Sequence, residues 1–287
     1  MKLATVEIGN GTRVAVVEEG RAVRLLPETA GTLLEIVERQ ASLDELLKGA
    51  TSVWGPARFV APIGRPRRNI FCVGKNYHEH AQEFAKSGFD SSAASGAIPD
   101  APIVFSKVPD CVVGPDDAVE FDPSVSTAID YEGELAVIIG TPGRKIARAD
   151  ALKHVWGYTI VNDVTARDVQ GRLKQWLVGK SFDTFCPMGP WAVTADEIDL
   201  GNTTLKTWVN GELRQNANTR DLIFDVPTII ETISAGVTLR AGDIIATGTP
   251  VGVGIGFTPP KYLKDGDVVE IEIGGIGKLS NPVRSAS

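Results

Sequence analysis

The sequence predicts a mainly β protein with a few helices. Short segments rich in Val, Ile and Thr recur along the chain, among them RVAVVEEG, PIVFSK, GYTIVNDVT and DVVEIEIGGIG. Gly, Asn, Asp and Pro stand between them as turn formers. Strands and long helical segments do not alternate regularly, which argues against a doubly wound parallel sheet.

The elements follow in order. KLATVEI and RVAVVEEG have strand character, with Asn10-Gly11 as the turn between them. TAGTLLEIVERQ reads as a short amphipathic helix with Leu33, Leu34 and Val37 on one side, and DELLKGA as a further helical turn. Pro62, Arg65, Pro66, Arg67 and Arg68 read as a linker, so the division expected is a small α+β unit over 1–64 and one larger domain over 65–287. NIFCVGKNY is a buried strand ending in a loop, and HAQEFAKSG a helix stopped by Gly88. The Ser/Ala/Pro-rich stretch between Lys86 and Pro102 is a loop. PIVFSK, IDYEGELAVIIG and GYTIVNDVT are strands, ARDVQGRLKQWL a helix, and WAVTADEI, LKTWVNGELRQ, DIIATGTP and DVVEIEIGGIG further strands. Asn210-Gly211 marks a hairpin turn.

Composition narrows the function. Lys and Arg total 29 against 36 Asp and Glu, a net charge of −7, in 287 residues. An acidic chain without a basic block is poorly suited to phosphate backbones or to anionic membranes. Apolar runs such as Leu135 to Ile139 are far shorter than the ~20 residues of a membrane span, and the start, MKLATVEIGNGTR, lacks the apolar stretch of a signal peptide. Cys72, Cys111 and Cys186 form no CxxC pair and read as buried small hydrophobes of a reducing cytoplasm.

Three segments carry chemistry. In a continuous strand, Asp130, Glu132 and Glu134 would share one face, and such a cluster at the entry to an apolar strand needs a partner. A hard divalent cation is one answer, a solvated strand edge another. Asp163 stands where an apolar strand gives way to a helix, as a metal ligand or an N-cap. Arg167 and Gln170, three apart, share a helix face, and Arg suits a carboxylate ligand. His80 and Glu83 also share a face, the arrangement of a His base oriented by a carboxylate; His78 and His80 could instead form an HxH metal pair, for which only His154 remains as a third histidine.

In order, CVGKNYHEHAQE, PIVFSKVPDCVVGP, IDYEGELAVIIG, GYTIVNDVTARDVQ, GKSFDTFCPMGP, LIFDVPTIIETIS and IIATGTPVGVG resemble the fumarylacetoacetate hydrolase superfamily from about Asn69 onward. The resemblance implies a mixed β-sandwich roll behind a small N-terminal domain, and a homodimer. It implies Mg²⁺ or Mn²⁺ on Glu132, Glu134 and Asp163, with Asp130 not a ligand. It places catalysis at His80, Glu83 and Lys180, and substrate contacts at Lys75, Arg167, Gln170, Lys180 and Thr249. The acidic partner of His80 is Glu83 in one branch and falls near Glu270 in another. SKVPD departs from the family's usual KPP or KPS after Lys107, and the Lys86–Pro102 segment, which matches a lid, is long.

Such a site suits a small anionic 2-oxo acid, whose adjacent oxygens can chelate one hard cation. The leading expectation is a cytoplasmic C–C hydrolase of 2,4-dioxo acids such as acylpyruvates. The alternatives are an oxaloacetate-type decarboxylase, a hydroxymuconate-type isomerase or tautomerase, and a non-catalytic metal-binding protein on the same fold.

Overall fold

A computed structural model describes residues 1–18, 23–53, 57–86 and 98–286. The N-terminal part comprises β1 (Lys2–Ile8), β2 (Gly11–Val17), β3 (Val23–Leu25), α1 (Leu33–Glu38), α2 (Leu43–Lys48), β4 (Thr51–Val53) and β5 (Arg58–Val60). There follow β6 (Ile70–Gly74), α3 (His78–Lys86), β7 (Ile103–Lys107), β8 (Val112–Val113), β9 (Val119–Phe121), β10 (Ile129–Asp130) and β11 (Gly133–Ile139). Next come β12 (Val155–Asn162), β13 (Thr165–Ala166), α4 (Arg167–Leu173), α5 (Leu177–Lys180) and β14 (Cys186–Thr194). The chain closes with β15 (Thr204–Val209), β16 (Glu212–Asn218), α6 (Val226–Ser234), β17 (Ile244–Ala246), β18 (Val268–Ile273) and β19 (Gly277–Ser285). The molecule is thus mostly β with a few helices.

A twelve-stranded sheet runs β4-β3-β2-β1-β14-β12-β11-β17-β6-β7, with β5 on β1 and β8 on β14. A five-stranded sheet runs β16-β15-β18-β19-β9. The strand β11 lies inside the large sheet and is buried along its whole length. Its alternation feeds two cores. Leu135, Val137 and Ile139 pack with Leu205, Val269 and Ile271 of the smaller sheet. Ala136 and Ile138 pack on the other face with Leu33, Ile36 and Val37 of α1 and with Ile244 and Ala246 of β17. Each fully buried Leu, Val or Ile contributes ~1.5–3 kcal/mol, so a sheet covered on both faces makes a rigid mount.

Hydrogen bonding crosses the boundary expected after residue 64. Lys2 and Leu3 of β1 pair with Val193 and Ala192 of β14, so the first strand belongs to the same sheet as β11 and β12. The first turn uses Gly9 and Asn10, with β2 starting at Gly11. The second hairpin is as expected: Asn210 and Gly211 link β15 to β16 with φ of 52° and 77°. These are the positive angles of a tight hairpin turn.

Two expected elements are broken. IDYEGELAVIIG is not one strand, because β10 pairs with β13 while β11 pairs with β12 and β17. The Asp130 carboxylate accepts the N–H groups of Gly254 and Ile255 (2.6 and 3.0 Å), which draws it away from the β11 row. ARDVQGRLKQWL splits into α4 and α5 at Lys174, whose φ of 62° no helix accommodates. The helix after NYHEH begins at His78, earlier than its apolar pattern indicates. The Gly88 stop and most of the Lys86–Pro102 segment lie outside the described residues.

Gly133, at the head of β11, has no room for a side chain. A Cβ there would stand 2.4 Å from Thr207 Oγ1 of β15 and 3.2 Å from Ile271 of β18. A Gly133→Ala variant is therefore expected to lose ~1–3 kcal/mol of stability, the usual cost of overpacking, seen as a lowered midpoint in scanning calorimetry.

Candidate functional site

The register of the large sheet assembles the acidic cluster. Glu134 pairs with Val161 of β12, so both side chains lie on one face. Two residues on, Asp163 returns to that face and donates its N–H to Glu132 O at 2.9 Å. Glu132, Glu134 and Asp163, all buried, each present a carboxylate oxygen within 4.8 Å of the others. Asp130 is held elsewhere, and the N-cap of α4 is Ala166, not Asp163.

Basic side chains interleave with these acids. Lys180 Nζ donates to Glu132 Oε2 (2.7 Å) and Asp163 Oδ2 (2.8 Å). Arg167 Nε donates to Asp130 Oδ2 (2.8 Å), and its Nη1 reaches Glu132 Oε1 (2.7 Å) and Gln170 Oε1 (3.2 Å). Lys180 is brought in by α5, which packs so closely on α4 that a Cβ on Gly179 would lie 2.7 Å from the Gln170 nitrogen. Lys107, at the end of β7, is fully buried and donates to Asp163 Oδ1 (2.7 Å) and Val164 O (3.1 Å). Burial opposes its charge, yet Asp163 holds the ammonium above its usual value.

Glu132 and Glu134 sit in opposite fields. Burial works to raise Glu132, but Lys180, then Arg167 and His80, outweigh it and bring it down to about 2. Burial, then Asp163 and Glu132, push Glu134 well above the carboxylate range. Its hydrogen bond from Gly248 N–H (2.8 Å) does not offset this. Among the described residues no salt bridge reaches Glu134. Three convergent carboxylates, one lacking a basic partner, make an all-oxygen donor set that fits a hard divalent cation.

The His-Glu pair expected from the sequence forms. His80 Nδ1 lies 3.1 Å from Glu83 Oε2, while Glu83 Oε1 accepts the Gly252 N–H at 3.1 Å. The second contact docks α3 on the loop after β17. Glu270 is engaged elsewhere, 3.2 Å from Lys278. His78 is exposed, and His154 Nδ1 donates to Thr141 O at 2.8 Å. The three cysteines are free and buried.

One narrow cleft gathers the predicted residues. Lys75, His80, Glu132, Glu134, Arg167, Gln170, Lys180 and Thr249 all line it, with Phe105 and Trp176 as apolar walls. Its empty volume, which is open to solvent on one side, is about 290 Å³. Asp163 lies behind Lys180, and Glu83 behind His80. The Thr249 hydroxyl hydrogen is committed to Gly133 O at 3.0 Å, so that group can accept but not donate to a ligand. Sequence reasoning assigned no role to Lys107 or Gln215, whose hydrogen-bond partners lie 56 and 82 residues away. The one local hint was a lysine ending an apolar strand.

A family model described as fumarylacetoacetate (FAA) hydrolase, C-terminal, matches residues 69–284. Oxaloacetate tautomerase YisK of Bacillus subtilis (strain 168) is 52% identical over 224 residues, covering 78% of this chain and 72% of that protein. The structure of fumarylacetoacetate hydrolase from psychrophilic Exiguobacterium antarcticum is similar over the whole of both chains, with TM-score 0.87 and 43% identity. That of 5-carboxymethyl-2-hydroxymuconate delta-isomerase from Mycobacterium smegmatis also matches over both whole chains, with TM-score 0.78 and 33% identity.

Proposed function

The chain belongs to the fumarylacetoacetate hydrolase family, and we propose that within it this enzyme is a divalent-cation-dependent tautomerase of 2-oxo diacids of the oxaloacetate type. The observation that carries the reading is the placing of the His80–Glu83 pair at a cleft lined by Glu132 and Glu134 together with Lys75, Arg167 and Lys180. An acid-base group beside three cationic side chains suits proton transfer on a small diacid, whose carboxylates such cations bind. The relative at 52% identity is itself an oxaloacetate tautomerase. Both points favour the tautomerase and isomerase alternative over the C–C hydrolase that led the sequence expectations.

Glu132, Glu134 and Asp163 would hold the cation, Mg²⁺ or Mn²⁺. When bound, such an ion would stabilise the negative charge that develops on the 2-oxo oxygen. The protein's own groups do the rest. His80, its tautomer fixed by Glu83, uses Nε2 to deliver a proton to C3 or remove one. In the enol-to-keto direction C3 gains that proton, the enol hydroxyl proton leaves to solvent and solvent returns one proton to His80, so the balance closes without a nucleophilic water. Lys180 donates a hydrogen bond to the oxo oxygen as charge builds there. Arg167, Gln170 and Lys75 orient the distal carboxylate, with Phe105 and Trp176 excluding water. We further propose that the protein works on this small dianion as a cytoplasmic homodimer.

The test is to follow the enol absorbance of oxaloacetate with Mg²⁺ while measuring pyruvate. Enol loss faster than the spontaneous rate, without matching pyruvate release, is the expected result. Pyruvate release at the same rate would point to a decarboxylase, and faster turnover of acylpyruvates would restore the hydrolase.

A further inference from the structure

We propose that Gln215 is a positioning residue that sets the angle between Glu132 and Glu134 by clamping the peptide units of Gly133. Gly133 separates the two carboxylates, so its backbone torsions decide how their side chains diverge. Glycine has little conformational preference of its own, and the geometry must be imposed from outside.

The clamp does this from both sides of the residue. Gly133 N–H donates to Gln215 Oε1 at 3.1 Å, and Gly133 O accepts from Thr249 Oγ1 at 3.0 Å. Gln215 Nε2 closes the circuit, donating to Thr249 Oγ1 and to Pro250 O, both at 2.8 Å. An N–H can only donate and a carbonyl can only accept, so the amide faces one way. The site needs one acceptor and two donors on one planar group, and Gln215 supplies all three while fully buried.

A bulge aims this side chain. The ladder between β15 and β16 pairs Thr207 with Gln215 and then Trp208 with Leu213, leaving Arg214 as the extra residue. Bulges redirect side chains in this way beside active sites. The smaller sheet therefore reaches into the carboxylate cluster at one point. The inference rests on the reading above in one respect, that Glu132 and Glu134 act together on one cation.

The experiment compares the full-length wild type with Gln215→Glu and Gln215→Met. Both variants remove the amide donors. Mn²⁺ affinity by calorimetry is expected to fall ~10–100-fold, the range for groups that orient metal ligands. For enol-oxaloacetate, kcat should fall by more than KM rises. Asn218→Ala, on the same strand, removes the cap of the following turn without touching Gly133, and should lower the thermal midpoint while leaving Mn²⁺ affinity unchanged. Wild-type affinity and kcat in the Gln215 variants would overturn the proposal. So would an equal affinity loss in Asn218→Ala, which would mark a merely structural effect. Should the Gln215 variants be insoluble, Thr249→Val cuts the same circuit, and unchanged Mn²⁺ affinity there counts equally against it. A wild type that binds no Mn²⁺ removes the metal reading instead, and the kcat against KM split then decides the clamp.

Discussion

A Glu132→Gln variant should lose divalent-cation binding altogether, measured by calorimetry with Mg²⁺ and Mn²⁺. Glu132 occupies the centre of the charge network, with Arg167 on Oε1 and Lys180 on Oε2. Its low pKa shows that the surroundings favour the ionised form even against burial. The amide keeps the shape and removes the charge, which leaves Arg167 with Asp130 and Lys180 with Asp163 as the carboxylate partners they keep. Weakening charge-assisted hydrogen bonds in this way costs ~1.5–3 kcal/mol, so the thermal midpoint should fall as well. A cation that binds the variant with wild-type affinity would place the metal site elsewhere.

His80→Ala should lower kcat for the enol-keto conversion by ~10²–10⁴-fold, the usual worth of a positioned acid-base group. Cation affinity should change little, because His80 is not among the three converging carboxylates. Glu83→Gln should reduce kcat by a smaller factor, since the imidazole remains but loses the charge that stabilises its protonated form. Glu270→Gln is the matched control, its carboxylate being engaged with Lys278. Stopped-flow loss of enol absorbance distinguishes these outcomes. Normal turnover in His80→Ala would move the proton carrier to another residue.

Local signals reported most of this site. Residues with helical spacing, His80 with Glu83 and Arg167 with Gln170, do meet, because three residues make nearly one turn. The strand AVIIG was legible as buried on both faces from its unbroken apolar run. Reading failed where a distant partner overrode the local pattern. The alternation through Asp130, Glu132 and Glu134 suits one strand, but backbone N–H groups of Gly254 and Ile255 claim Asp130, and strand pairing is interrupted at Tyr131 and Glu132. Lys107 looks like an ordinary strand end until Asp163 arrives from 56 residues away. Gln215 has no local mark beyond a hairpin, since bulges follow from sheet packing. The two-face alternation told of a core on each side, but not that the first strand would join the sheet of β11.

That joining bears on the order in which the molecule is assembled. The strand β1 is shared along one edge, with Lys2 and Leu3 on β14 and Thr5, Val6 and Glu7 on β5. Its other edge is taken by β2. During synthesis, β2, β1 and β5 can therefore pair as soon as residue 60 has emerged, shielding most of an apolar edge that would invite aggregation. Only two residues of β1 wait for β14, nearly 190 positions later. The early hairpin can thus serve as a template on which the late strand docks, leaving one slow long-range closure where a bare edge would need several.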